Sequence, residues 1–140
     1  MTHKHGDHAG SIDAVLAAAP GAMAYAGAGD IPAIASPRPL TAVADGDHVL
    51  GLRIVATPGH TPGHVSVLDE VAGVLVAGDA LRTADGSPGP PNPSFTEDMD
   101  LALRSIARLG SLSFETLLVG HGDPIESGAS AQVRGLAGGG

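Results

Sequence analysis

Glycine and proline punctuate this chain more heavily than any other feature: 21 glycines and 11 prolines are spread over 140 residues. Both sit poorly inside helices and strands, so regular structure is confined to short runs between turns, within one compact domain. The core must also be fine-grained. Tyr25, Phe95 and Phe114 are the only aromatics while 43% of residues are hydrophobic, so Ala, Val, Leu and Ile have to fill it.

Apolar spacing places the elements between the turns. Ile12, Val15, Leu16 and Ala19 recur at helical intervals behind Ser11, a capping residue, and Pro20-Gly21 ends that helix. Residues 22–26 suit a short strand, and the stretch to Pro39 is irregular. After the turn Asp45-Gly46-Asp47 comes a strand over 49–56, then strands over 65–68 and 74–77 joined by a hairpin-sized connection. Residues 81–94 lack an apolar pattern and are expected as a surface loop. Thr96 is expected to cap a second helix, with Glu97, Asp98 and Asp100 as its N-terminal charges and Met99, Ala102, Leu103, Ile106 and Leu109 as its buried stripe. Residues 116–119 make a last strand. The domain is expected to span 1–127, and the Ala/Gly-rich tail 128–140 to be weak helix or disordered.

Composition excludes several kinds of function. With no cysteine there are no disulfides, thiolate zinc fingers, iron–sulfur clusters or cysteine nucleophiles. A net charge of −8 repels nucleic acid and anionic membrane surfaces, and it suits a protein that carries divalent cations. No run is long enough for a membrane span, and the polar, His-rich N-terminus is unlike a secretory signal, so a cytoplasmic protein acting on a small molecule is expected.

The chemistry is concentrated in histidine. His3, His5, Asp7 and His8 form the pattern HxHxDH; an extended segment puts His3 and His5 on one side, and a turn at Gly6 brings Asp7 and His8 beside them. His64 stands just before a strand, Asp79 and His121 just after two others, where ligands are rigidly mounted. Imidazole and carboxylate without thiolate suit zinc, with iron or manganese as further choices, and seven such groups exceed what one tetrahedral ion uses. A dinuclear centre is the natural expectation. His60, between Pro and Gly in its loop, is assigned a supporting role, His48 an exposed turn, and Arg82 a solvated position beside the Asp79 strand end.

Thr2-His3-Lys4-His5-Gly6-Asp7-His8-Ala9-Gly10, Thr57-Pro58-Gly59-His60-Thr61-Pro62-Gly63-His64, Ala77-Gly78-Asp79 and Gly120-His121-Gly122 together resemble the metallo-β-lactamase superfamily, most of all its glyoxalase II-like hydrolase branch. The resemblance implies an α/β fold, the αββα sandwich. It also implies that His3, His5 and His64 hold a first metal, that Asp7, His8 and His121 hold a second, and that Asp79 bridges them. In such enzymes a zinc-bridged hydroxide attacks an ester, thioester, lactone or related bond, with Asp7 orienting the nucleophile and shuttling its proton. Substrate-binding residues of glyoxalase II have no clear match, which disfavours glutathione thioesters.

Two further readings stand beside that hydrolase. The persulfide dioxygenases share HxHxDH, and resemblance to them implies a mononuclear iron oxidoreductase; the flavodiiron branch has Glu where His5 stands here. Family domains also carry several strands ahead of the Thr-His motif, whereas only Met1 precedes it in this chain. The expectation is therefore a sandwich truncated at its N-terminus, with His3 and His5 short of their mount and apolar surface uncovered. Such a chain would act as a catalytically silent metal-binding fragment, or pair with a complementing chain or another copy of itself.

Overall fold

The computed structural model describes residues 1–138. Two short helices, α1 (Gly6–Ala9) and α2 (Ile12–Ala18), precede a parallel pair of strands, β1 (Tyr25–Gly27) and β2 (Thr41–Val43). Strands β3 (His48–Val49), β4 (Leu52–Ala56), β5 (Val65–Asp69) and β6 (Val74–Gly78) follow as an antiparallel meander. A small hairpin, β7 (Arg82–Ala84) and β8 (Ser87–Gly89), leads to helix α3 (Met99–Gly110), then strand β9 (Thr116–Val119) and helix α4 (Ala129–Gly138). β9 pairs in parallel with β6, closing a five-stranded sheet of order β3-β4-β5-β6-β9.

Strand alternation sorts the apolar side chains onto two faces. Val55, Leu68, Leu75, Ala77 and Leu117 pack with Ile106 and Leu109 of α3 and with Ala129 and Val133 of α4. Ile54 and Val65 face the other way, onto Val43 and Tyr25 of the two-stranded pair. The result is helices, sheet, sheet and helix in layers. On that second face Val76 and Leu118 remain more than a third exposed, so apolar surface lies open there as expected.

Several elements differ from the sequence reading. The run 49–56 is two strands, because Leu50 and Gly51 both adopt left-handed backbone (φ 52° and 84°) and form a hairpin turn. Residues 81–94 hold the β7–β8 hairpin and not a plain loop. Asp98, not Thr96, caps α3, its carboxylate accepting from the Leu101 N–H at 2.8 Å. Leu103 and Val15 are exposed, so each lies off its helix's buried stripe. From Ala129 to Gly138 the expected tail is helical, and Ala129 and Val133 belong to the main core; residues 139–140 lie outside the described residues. Apolar residues too sparse for a helical stripe still fold when two of them reach a core already built.

Candidate metal centre

The HxHxDH segment is fixed at both sides although no named strand carries it. The Met1 amine donates to Tyr25 O at 2.9 Å, the Val65 N–H donates to Thr2 O at 2.9 Å, and the Lys4 N–H donates to an Asp30 carboxylate oxygen at 2.9 Å. These bonds supply the mount that His3 and His5 were expected to lack. α1 then starts at once, so the turn at Gly6 is helical and lifts Asp7 and His8 toward the ends of β6 and β9.

His3, His5 and His60 meet first. His5 Nδ1 lies 3.1 Å from His3 Nε2 and 3.0 Å from His60 Nε2. Asp7, His8 and His121 form a neighbouring group, with Asp7 Oδ2 at 3.6 Å from His8 Nε2 and 3.2 Å from His121 Nε2. Asp79 stands between the two: Oδ2 is 3.4 Å from His60 Nε2 and 3.3 Å from His121 Nε2, and Oδ1 is 3.1 Å from His8 Nε2.

The structure brings His60, not His64, beside His3 and His5, where the resemblance implied His64. Both nitrogens of His64 are committed elsewhere. The Asp79 N–H donates to His64 Nε2 at 3.1 Å, so Nδ1 carries the proton and donates to Thr57 Oγ1 at 2.8 Å. Thr57 in turn donates to Ser66 Oγ at 2.9 Å, and Ser66 to Ala77 O at 3.2 Å. The direction of this chain is set by its ends, an N–H that only donates and a carbonyl that only accepts. His64 thus ties β5 to the Asp79 turn with no lone pair to spare. Burial foremost, then repulsion from His60, His8 and His5, pushes its pKa down to about 3.

His3, His8 and His60 have the opposite arrangement, with Nδ1 held from outside and Nε2 aimed inward, while His5 turns its Nδ1 inward. Thr2 Oγ1 lies 3.2 Å from His3 Nδ1 and 3.4 Å from His8 Nδ1. Thr96 Oγ1 spends its proton on Asn92 O at 2.8 Å and so accepts from His60 Nδ1 at 3.2 Å. This is the use of Thr96 that the helix-capping reading missed. An outer hydrogen bond of this kind fixes the tautomer that presents a lone pair to an ion. Burial foremost, then the surrounding imidazoles, pushes His3 down to about 2, and burial also lowers His60 against the attraction of Asp79. The loop bearing His60 is strapped to α3, Ser105 Oγ donating to Pro58 O at 2.7 Å and the Asp98 N–H to Gly59 O at 2.9 Å.

These donor atoms fit a cation. Ligands about 2.0 Å from a tetrahedral ion stand about 3.3 Å apart, close to the separations around His5 and Asp79. Asp79 Oδ1 is buried without a hydrogen-bond partner, the nearby His8 nitrogen failing the geometry of a bond, as befits an oxygen whose partner is an ion. The two groups differ in exposure: His3 and His60 are buried, whereas the side chains of Asp7 and His121 are 56% and 61% exposed. The centre floors a cavity of about 550 Å³ whose other walls are Leu81, Arg82, Pro91, Asn92 and Phe95.

The model of the metallo-β-lactamase superfamily matches residues 1–121, and the chain belongs to that superfamily. It is 43% identical over 83 residues to the probable metallo-hydrolase YflN of Bacillus subtilis (strain 168), covering 51% of this chain and 31% of that protein. A hydroxyacylglutathione hydrolase of Francisella philomiragia is 36% identical over 88 residues, covering 60% of this chain and 33% of the relative. The matches thus span about a third of the length of these two curated relatives. Among solved structures, the di-iron-bound form of TTHA1623 superposes with a TM-score of 0.76 at 28% identity, over 94% of this chain and 73% of that one. A metallo-β-lactamase from Pontibacter korlensis has a TM-score of 0.76 at 19% identity, over 97% of this chain and 66% of that one, a likeness of fold. This chain covers 73% and 66% of those two chains, and among its described residues the β1–β2 sheet has two strands. No helix among the described residues is long and apolar enough to cross a membrane.

Proposed function

We propose that this chain is a dinuclear metal-dependent hydrolase acting on an ester, thioester, lactone or related bond of a small molecule. The observation that carries this reading is the convergence of two triads, His3/His5/His60 and Asp7/His8/His121, on one carboxylate, Asp79, at the floor of an open cavity. Two zinc ions are the proposed occupants, on the nitrogen and carboxylate donor set; iron is the alternative, since TTHA1623 carries it. His3, His5 and His60 on one side and Asp7, His8 and His121 on the other would hold divalent cations, which when bound would supply a water of lowered pKa and positive charge for the developing oxyanion.

The protein's own groups do the rest. Asp7 lines the cavity with an exposed carboxylate and takes the proton of the attacking water. Asp79 sets its charge between the triads and offsets the repulsion of two nearby cations. Leu81, Pro91 and Phe95 give the apolar part of the substrate a wall that excludes water. Arg82 Nε is anchored on Pro90 O at 3.0 Å, which leaves its terminal nitrogens to meet an anionic portion.

The test is reconstitution of metal-free protein with zinc or with iron, metal analysis, and assay on chromogenic esters, thioesters and lactones. Zinc-dependent hydrolysis that disappears in Asp79→Asn is the expected result. Loaded protein inert toward the whole panel overturns the proposal, and oxygen consumption with a persulfide by the iron form would move it to the oxidoreductase alternative.

A further inference from the structure

Asp30 is fully buried, has no ion-pair partner among the described residues, and lies outside both triads. It sits just past β1, before a short 3-10 turn that its side chain does not cap. Instead the carboxylate crosses to two other loops. Oδ2 accepts from the Lys4 N–H at 2.9 Å and from Thr61 Oγ1 at 2.6 Å, and Oδ1 accepts from the Gly63 N–H at 2.8 Å. Lys4 lies between His3 and His5, and Thr61 follows His60 directly. Gly63 precedes His64, whose ring holds the Asp79 N–H. A methyl at Gly63 would run into the Asp30 backbone and side chain, so the two loops are in tight contact at this point.

A buried carboxylate with only neutral donors is costly to maintain, and an apolar residue would fill the space more cheaply. What it adds is a single rigid node between the loops carrying the three imidazoles, together with a negative charge that is felt at the His60 ring. We propose that Asp30 is a positioning residue for the first ion: it locks the His3/His5 segment and the His60 loop in register and favours the cation electrostatically, without touching it. This rests on reading the centre as a metal site.

Asp30→Asn keeps the shape, lowers the charge and turns one acceptor into a donor that faces an N–H or hydroxyl it cannot satisfy. The expected loss is about 10- to 100-fold in affinity for the first zinc ion, measured against a competing chelator, with a smaller loss in Thr61→Val, which keeps the charge. Affinity at the Asp7/His8/His121 site should be unchanged, and the cobalt form should show an altered visible spectrum. In metal-free wild type, the Lys4 and Gly63 amide protons should be shifted downfield and protected from exchange, and both signatures should vanish in Asp30→Asn. Wild-type affinity for the first ion in Asp30→Asn overturns the proposal, as does an equal loss at both sites accompanied by a lower melting temperature of the metal-free protein. Wild type that takes up no ion, with the amide signatures present, refutes the metal reading as well as the role of Asp30 in loading it, but leaves the clamp itself established.

Discussion

The exchange of roles between His60 and His64 makes a sharp prediction, because the two residues are 2% and 1% exposed and burial alone does not tell them apart. In His64→Ala the Asp79 N–H and the Thr57 hydroxyl lose their partner. A stranded buried donor costs about 1–3 kcal/mol, and the hole left by the ring adds roughly 2 kcal/mol. The expected destabilisation is about 3–5 kcal/mol, which for a chain of this length lowers the melting temperature by about 10 to 15 °C. His60→Ala loses its bonds to Thr96 and His5 and opens onto a cavity that water can enter, so its cost in the metal-free protein is about 1–2 kcal/mol, or roughly 3–6 °C. Zinc content should show the reverse pattern. On the proposed two-ion centre, His60→Ala should retain one ion where wild type takes up two, and His64→Ala, at a temperature where it is folded, should bind both. Thermal melts of chelated protein and metal analysis of reconstituted protein measure the two quantities. The reasoning fails if His64→Ala melts like wild type and loses an ion while His60→Ala keeps both.

Two further outcomes follow from the same geometry. A methyl at Gly120 would collide with Asp79 Oδ1 and His8 Cε1, so Gly120→Ala should cost about 1–3 kcal/mol and weaken binding at the Asp7/His8/His121 site, read by urea unfolding and zinc titration; wild-type values in both would contradict the placement of Asp79. Metal-free protein should lose stability as pH falls below about 6.5. His3 and His64 have folded pKa values near 2 and 3 against an ordinary 6.5, so over that window the unfolded chain binds protons that the folded chain refuses, at about 1.4 kcal/mol per pH unit for each histidine. Urea midpoints at pH 7.0 and 5.5 check this, and equal midpoints would contradict it.

Much of the site was legible because its residues come in short motifs whose order carries information. His3, His5, Asp7, His8, Asp79 and His121 stand together as their motifs suggest. The tandem Thr-Pro-Gly-His repeat offers two candidates with the same residues ahead of each, and the sequence reading chose His64 for its place just before a strand. What distinguishes them is register: His64 adjoins the first residue of β5 and so lies opposite the backbone N–H of Asp79, where its lone pair is consumed. The usable signal was the pair Thr57 and Ser66, hydroxyls placed to receive a strand-end ring. Thr96 was misread for a related reason, because a hydroxyl ahead of a helix looks like a cap whether it serves the helix or a histidine 36 residues away. Asp30 gave no signal at all; a lone acid in a Gly/Ala-rich stretch is unremarkable until the fold brings three donors to it. In the fold, strands with strong apolar runs were readable, while β2, only three residues long, and the short β7–β8 hairpin form only because neighbouring chain is there to pair with them.

β6 and β9 run side by side in parallel, and Asp79 and His121 leave them at the same end. Adjacent strands keep a separation of about 4.8 Å whatever side chains they bear. The interval between Asp79 and His121 is therefore measured out by the backbone ladder, and it acts as a ruler that side-chain substitutions leave unchanged. Residues 81–98, which wall the cavity, can drift in sequence and re-specify what enters it while that interval stays the same.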